Sequence, residues 1–242
     1  MSLLQIMHLT LFFACTEAVV APTPPPAALP TLQLSHAEPA QGHTLSLFDD
    51  ARLTDALRTE AWDFGGPPLG AEETPRWKPF VLTPLVPSVL RLLSAEGQVL
   101  EEITLERPLA RLAPAPLLGF PPTWFLTVDY SIGMGSYNGP ITSLVQIHGD
   151  RLHWLEGPKG RLELMSSLKF AWKVDTTTTP NDLLYVYCNP DDTGGGFQIT
   201  YERFHWDGTV FQSTRRDVPG FLEQETEASF PALTEFPQTW HH

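Results

Sequence analysis

The sequence predicts an all-β fold, an antiparallel sandwich, barrel or partial propeller with one short N-terminal helix. From residue 78 onward, short segments rich in β-branched and aromatic residues alternate between apolar and polar positions with a period of two. Turn residues separate these segments, and no strand-then-helix alternation typical of a parallel α/β fold is found. With 242 residues, the chain is long enough for one large all-β domain or two small ones.

The chain begins with an apolar stretch over residues 3–14, which is too short to span a bilayer but has the length of a signal-peptide core. Ala14 precedes Cys15, as a small residue precedes the lipidated cysteine of an exported lipoprotein. The segment resembles the signal of bacterial lipoproteins, and the resemblance implies that Cys15 carries lipid and becomes the mature N-terminus. A buried N-terminal segment of a cytoplasmic protein is the alternative.

A proline-rich segment comes next, with Pro22, Pro24, Pro25, Pro26, Pro30 and Pro39 among Ala and Thr residues. This composition favours an extended, polyproline-like chain over a packed core. We therefore predict a signal-like segment over 1–21, a linker over 22–46, a β-rich domain over 47–216 and an acidic tail over 217–242. The tail is expected to be solvated or loosely docked, because its acidic residues lie among apolar ones.

The predicted helix covers residues 47–62, where Leu53, Leu57 and Ala61 recur four residues apart. Asp49 and Asp50 would lie at its N-terminus, where the helix dipole favours carboxylates. The predicted strands cover 78–85, 88–94, 98–106, 124–131, 141–149, 150–157, 161–174, 182–189, 196–206 and 209–216. Three predicted hairpin turns lie at 95–97, at 148–150 and at 207–208.

The segment 128–140 contains three glycines, Gly133, Gly135 and Gly139, directly after an apolar run. A dinucleotide-binding loop requires a helix after its glycines, whereas Pro140 is followed by a strand-like run. We therefore predict a hairpin loop in which the glycines provide positive φ angles.

The same loop is dense in hydrogen-bonding side chains, and loops on β scaffolds commonly carry binding residues. The candidate binding site comprises Asp129, Tyr130, Ser131, Ser136, Tyr137 and Asn138. The alternative is a turn in which the Asp and Asn side chains bond their own backbone.

No catalytic residue, metal site or cofactor is predicted. Ser136 does not lie in a G-x-S-x-G elbow, and we interpret His148, His153 and His205 as solvent-facing strand residues. The adjacent His241 and His242 would point to opposite sides of an extended chain. Calcium binding stays open, because two loops carry the oxygen ligands that a hard cation prefers. These ligands are Asn189, Asp191 and Asp192 in one loop and Asp175, Asn181 and Asp182 in the preceding one.

Aromatic residues recur two positions apart in three predicted strands. The pairs are Phe170 and Trp172, Tyr185 and Tyr187, and Phe204 and Trp206. If these strands are neighbours, the pairs form one aromatic stripe, which is typical of the interior of a sandwich. The alternative is an exposed platform for sugar rings or a protein partner.

The sequence favours a non-enzymatic protein whose charge excludes some partners. Its 15 Lys and Arg residues against 28 Asp and Glu residues give a net charge of −13, which disfavours nucleic acid and anionic membrane surfaces. The leading hypothesis is a periplasmic or lipid-anchored protein of the bacterial cell envelope, touching the membrane only through lipid on Cys15. Its loops would bind a protein or an envelope component.

Two further functions are open. An immunity or inhibitor protein against a basic toxin would use the negative charge for electrostatic complementarity. A hydrolase of an envelope polysaccharide or peptide would use carboxylates among Asp129, Glu202 and Asp207. Cys15 and Cys188 would form a disulfide in an oxidising compartment, unless Cys15 is lipidated.

Overall fold

The computed structural model describes residues 31–40, 42–64, 76, 78–82, 84–129, 138–191, 194–222 and 230–237. The predicted lipidation site and most of the predicted binding loop lie outside these ranges, namely Cys15, Tyr130, Ser131, Ser136 and Tyr137, as do Asp192, His241 and His242. The described chain is mostly antiparallel sheet, which confirms the all-β prediction. Two short helices, α1 (Asp55–Phe64) and α2 (Lys78–Leu82), and a 3₁₀ turn, Leu233–Glu235, complete it.

Three sheets and one small hairpin contain all the described strands. The first sheet has the order β1 (Leu32–Ala40), β2 (His43–Asp50), β3 (Val89–Leu93) and β4 (Val99–Thr104). The central sheet contains β5 (Ala110–Pro114), β6 (Thr123–Asp129), β7 (Pro140–His148), β8 (Arg151–Trp154) and β11 (Glu163–Met165). The third sheet has the order β12 (Phe170–Asp175), β13 (Asp182–Pro190), β14 (Phe197–Trp206) and β15 (Phe211–Pro219). The hairpin pairs β9 (Glu156–Gly157) with β10 (Gly160–Arg161).

The central sheet is apolar on both faces, so the sheets stack in layers. One face contributes Trp124, Leu126 and Val145 to a core shared with Leu47 and Leu90 of the first sheet. The opposite face packs on the third sheet through a second core. There, Phe125 contacts Trp172 edge-on with ring centroids 5.3 Å apart, and Leu144 and Leu183 are fully buried. The sandwich alternative therefore describes this fold, and the described strands do not close into a barrel.

The predicted N-terminal helix begins later than the sequence pattern indicated. Residues 47–50 belong to β2, and α1 starts at Asp55. Leu45 and Leu47 alternate with a period of two and are buried against the central sheet, which selects the strand. Asp49 and Asp50 are consequently buried strand residues and do not cap a helix. The predicted helical face is confirmed for Leu57 and Ala61, whereas Leu53 lies before α1 and packs in the same small core.

Other predicted boundaries also require correction. Residues 32–40 and 43–46, assigned to the linker, belong to β1 and β2, because their backbone groups pair in an antiparallel ladder. Residues 78–82, predicted as a strand, form α2. Strand β5 was not predicted. Residues 230–237 of the predicted tail dock on the outer face of the third sheet, where Phe236 is buried.

The predicted turns at 95–97 and 148–150 are confirmed, whereas the third turn covers 207–210 and not only 207–208, because Trp206 pairs with Phe211. Gly97 and Gly149 adopt positive φ angles of 81° and 60° between paired strands. Gly208, with φ of 102°, occupies the turn between β14 and β15. The Asp207 carboxylate accepts hydrogen bonds from the backbone N–H groups of Thr209 and Val210, at 2.9 Å each.

The glycine-rich segment connects two antiparallel strands, because Asp129 of β6 pairs with Pro140 of β7. The prediction of a hairpin connection, with a strand and not a helix after Gly139, is therefore confirmed. The predicted reason for Gly139 is wrong, because its φ is not positive. A Cβ atom at this position would overlap the backbone carbonyl of Ser166, whose N–H donates to the carbonyl oxygen of Pro140 at 2.9 Å. Gly139 is required because two backbone segments approach closely.

Substituting Gly139 with Ala is expected to lower the free energy of unfolding by about 1–3 kcal/mol or more, because the added methyl group must displace the Ser166 backbone. Urea unfolding followed by circular dichroism measures this loss. Gly149→Ala is the matched control, because a Cβ there meets open space and costs only the strain of its positive φ. Equal losses in the two variants would contradict the close-approach explanation.

No described helix has the length and apolar composition needed to cross a membrane.

Candidate functional site

A groove of about 520 Å³ lies between the β9–β10 hairpin and the third sheet. Its volume falls within the range of roughly 300–1,000 Å³ that is common for small-ligand sites. The hairpin lines one side from Gly157 to Arg161, while β12, β13 and β14 provide an aromatic floor. Gly157 lies close to this sheet, because a Cβ there would be 3.9 Å from the Phe204 ring of β14.

The floor is built by the alternation of side chains along neighbouring strands. Phe170 pairs with Tyr187 across β12 and β13, and their stacked rings have centroids 5.9 Å apart. Tyr185 lies two residues before Tyr187 on the same face, with ring centroids 5.1 Å apart. Each of these three rings is partly buried, so each has surface available to a ligand.

One carboxylate enters this aromatic floor. Glu202 of β14 pairs directly with Tyr185 and, on its other side, with Arg215 of β15. Glu202 is only 9% exposed, and its exposed part lines the groove. Among the residues that the structure describes, its carboxylate makes no hydrogen bond or ion pair.

The cationic side chains at the rim have other partners. The Arg161 guanidinium donates to the Glu163 carboxylate from Nε, at 2.8 Å, and from Nη2, and it lies 4.9 Å from the Trp154 ring centroid. Arg215 forms an ion pair with Asp217 at 3.2 Å. Lys159 is exposed at the hairpin tip. The two rim arginines therefore pair with other carboxylates and do not neutralise Glu202.

Both tyrosines of the floor hold their protons more strongly than a free tyrosine. Burial is the main cause of the raised pKa of Tyr185, and the neighbouring Tyr187 and Glu202 raise it further. Burial also raises the pKa of Tyr187, followed by the charge of Glu202. The rings stay neutral phenols at physiological pH, so Glu202 supplies the only negative charge among the described residues of the groove floor.

The predicted aromatic stripe is present and serves two environments. Trp172, Phe204 and Trp206 belong to the core between the third and central sheets. Phe170 and Tyr187 continue the same face beyond this core and line the groove. The interior prediction is therefore confirmed for Trp172, Phe204 and Trp206, whereas the partly buried Phe170 and Tyr187 line the groove.

The predicted binding loop is separate from the aromatic groove. Asp129, at the end of β6, is buried at 6% exposure, and its backbone N–H donates to the carbonyl oxygen of Leu109 at 3.2 Å. Asn138 is exposed and lies just before β7. Neither residue lines the groove. Tyr130, Ser131, Ser136 and Tyr137 lie outside the described residues, so the proposed site at this loop stays a prediction.

The carboxylates that the hydrolase hypothesis required are separated in the fold. Glu202 lies in β14 and Asp207 directly follows this strand, so about 17 Å of extended chain separates the two residues. Paired catalytic carboxylates of glycosidases are roughly 5–10 Å apart. Asp129 lies in the central sheet, and Asp207 caps a turn. Glu202 shares its groove instead with Glu163, a residue that the sequence did not single out.

A buried charge network lies at the other end of the third sheet. Arg203 donates from Nη1 to Asp175 at 2.7 Å and to Asp182 at 2.9 Å. Its Nε donates to the carbonyl oxygen of Pro237 at 2.7 Å, which ties the C-terminal segment to the sheet. His205 is half-buried, with Nδ1 2.8 Å from Asp182, and is not the fully solvent-facing residue that we predicted.

This network accounts for half of the predicted calcium ligands. Asp175 and Asp182 pair with Arg203, and the Asn181 amide donates to the carbonyl oxygens of Asp175 and Thr178. Asp191 lies nine residues after Asp182, about 30 Å away along β13. No cluster that would hold a metal ion occurs within the described ranges. The two loops therefore do not form one calcium site.

Acidification is expected to weaken the fold through Asp175. Burial is its largest influence and by itself raises the pKa, but hydrogen bonds from Thr177 and the Arg203 guanidinium together hold the pKa below the ordinary value of 3.8. The unfolded chain therefore takes up the proton first. The stabilisation is complete above about pH 5 and declines as the pH falls through the unfolded pKa of 3.8 and then through the lower pKa of the folded state. Urea unfolding between pH 7 and pH 3 tests this, and unchanged stability over that range would contradict it.

Comparisons with protein-family models, curated proteins and solved structures found no match.

Sequence reasoning identified the aromatic residues of the groove but not its walls. The signal that was present is the alternation of 185, 187 and 202 with apolar core residues. Lys159, Arg161 and Glu163 carry no local motif, since they reach the groove only because the hairpin folds over the third sheet.

Proposed function

We propose that the protein is a non-enzymatic binding module that holds part of a partner protein or a cell-envelope component in the aromatic groove. One observation carries the proposal: a groove of about 520 Å³ whose floor combines three aromatic rings with a buried carboxylate. Stacking on partly exposed rings supplies affinity, and a fixed polar group supplies orientation. The supporting frame is rigid, because the floor belongs to a four-stranded sheet packed on both faces.

Capture from a bacterial envelope extract tests the proposal. The wild-type protein is immobilised beside Tyr187→Ala, which removes one floor ring, and Glu96→Gln, which removes one exposed charge far along the chain. A component identified by mass spectrometry should bind the wild type and Glu96→Gln, and its yield should fall about tenfold or more on Tyr187→Ala. Equal capture by all three proteins would contradict a binding role for the groove.

The hydrolase alternative retains one supporting observation, since Glu163 and Glu202 line the same groove. Glu163 is exposed and bound by Arg161, so its carboxylate is already neutralised by a cation. Incubation with soluble peptidoglycan fragments followed by mass spectrometry distinguishes the two functions. A binding module leaves the fragments intact, whereas products that disappear in Glu202→Gln would establish the hydrolase.

We also propose export and anchoring through Cys15, on the strength of the lipoprotein-like segment at the N-terminus. Mass spectrometry of the mature protein tests this. A lipid-modified Cys15 at the N-terminus is the expected result, and an intact Met1 in the soluble fraction would contradict it.

A further inference from the structure

The Glu202 carboxylate faces the groove without a partner from the described chain. The side chain is about nine-tenths buried, and it has no hydrogen-bond or ion-pair partner among the described residues. Its oxygen atoms keep contact with the open space of the groove. A partly desolvated carboxylate is stabilised by a cation placed beside it, and such a cation would come from within the groove.

The residues around Glu202 select the chemistry of that group. Tyr185, directly opposite on β13, and Tyr187, two residues further along that strand, present aromatic surface to the same groove. Aromatic faces attract cations through their quadrupole, and the attraction grows when the cation is desolvated. A carboxylate beside such faces adds a full negative charge, which also attracts cations. An anionic ligand would be repelled by Glu202, and a neutral ligand could donate a hydrogen bond to it but would not compensate its charge.

The three cationic residues that line the groove in the described part of the chain, Lys159, Arg161 and Arg215, form no ion pair with Glu202. Arg161 is held by Glu163 and by the Trp154 ring. Arg215 lies opposite Glu202 in the ladder but pairs with Asp217 at 3.2 Å and is exposed. The net charge of −13 further raises the local concentration of cations at the surface.

We propose that the groove binds an organic cation, an ammonium or guanidinium group on an apolar stem, with the charge against Glu202 and the stem on Phe170 and Tyr187. This inference rests on the proposed binding function and names the ligand class of the same site. The cation would belong to a free small molecule or to a basic side chain of a partner protein.

Paired probes that differ only in charge test the inference. Choline is compared with its neutral isostere 3,3-dimethylbutan-1-ol, and N-acetyl-arginine methylamide with N-acetyl-citrulline methylamide. Each is titrated into the full-length protein while the tyrosine ring resonances are followed by NMR. At least one cation should bind ten or more times more tightly than its isostere, and which cation does so separates a quaternary ammonium from a guanidinium ligand.

Variants assign the effect to Glu202. Glu202→Gln should remove the preference for the cation while unfolding at a similar temperature, because the carboxylate makes no hydrogen bond or ion pair with the described residues. Glu96→Gln, which changes the net charge equally, should keep the preference, and Arg215→Ala should keep or strengthen it.

Equal affinity of cation and isostere, or a preference that survives in Glu202→Gln, would overturn the inference. A groove that binds the neutral isosteres equally well, or captures its envelope component in Glu202→Gln as in the wild type, still supports the proposed binding function. If every groove variant captured the component as well as the wild type, the proposed binding function itself would be contradicted.

Discussion

Replacing Arg203 with Met is expected to lower the free energy of unfolding by about 3–5 kcal/mol, because it leaves two buried carboxylates without their cation. Asp175 and Asp182 are 3% and 4% exposed, and Arg203 bonds both. The same variant frees the Pro237 carbonyl that Arg203 binds. For a chain of this size the loss corresponds to a decrease in Tm on the order of 10 °C, which differential scanning calorimetry measures.

Arg161→Met is the matched control for this prediction. Its ion pair with Glu163 is exposed, with side chains 40% and 42% accessible, and exposed pairs contribute about 0–1 kcal/mol. The same change of residue type should therefore have a small effect. If Arg203→Met were as stable as Arg161→Met, the buried network would not hold the end of the third sheet as we describe.

Substituting Phe236 with Ala is expected to cost about 3–5 kcal/mol, the usual range for a fully buried phenylalanine. Phe236 is 1% exposed, contacts Tyr201 edge-on at 5.4 Å and stacks on Phe230 at 5.6 Å. The Phe236 and Phe230 rings cover the outer face of the third sheet, where Leu184 and Val186 of β13 are buried beneath them. Loss of the ring should release the C-terminal segment and expose this face, and urea unfolding together with hydrogen exchange of β13 measures both effects.

Phe221→Ala is the control, because this ring is 55% exposed and its removal opens no cavity. We expect a change of less than about 1 kcal/mol for such a surface position. Two variants of equal stability would show that the C-terminal segment contributes little to the fold. In that case residues 230–237 would be the solvated tail that was the first alternative from sequence.

Local patterns predicted the parts of the fold whose cause is local. The alternation in 182–189 and 196–206 predicts β13 and β14, because successive side chains of a strand point to opposite faces of the sheet. The hairpin at Gly149 is predicted because a tight turn needs a positive φ angle. These features depend on residues within a few positions of each other, and a single sequence contains that information.

Features that depend on distant partners were mispredicted or missed. Residues 47–50 follow a helix-compatible spacing, yet Leu47 pairs with Leu90 of β3, and this pairing decides for a strand. Gly139 is constrained by Ser166, a residue that the hairpin pattern does not include. The groove likewise forms where the β9–β10 hairpin meets the third sheet. No local spacing predicts such contacts, because they arise from the stacking of sheets.

The ring resonances of Tyr185 and Tyr187 provide the most direct test of the central claim that this groove is the ligand site. The component captured from envelope extract is titrated into isotope-labelled protein, and the aromatic and backbone amide spectra are recorded together. Saturable shifts centred on Tyr185, Tyr187 and the 157–161 hairpin are the predicted result. Shifts confined to the 129–138 loop, with the tyrosine rings unchanged, would contradict the account and return the site to the loop.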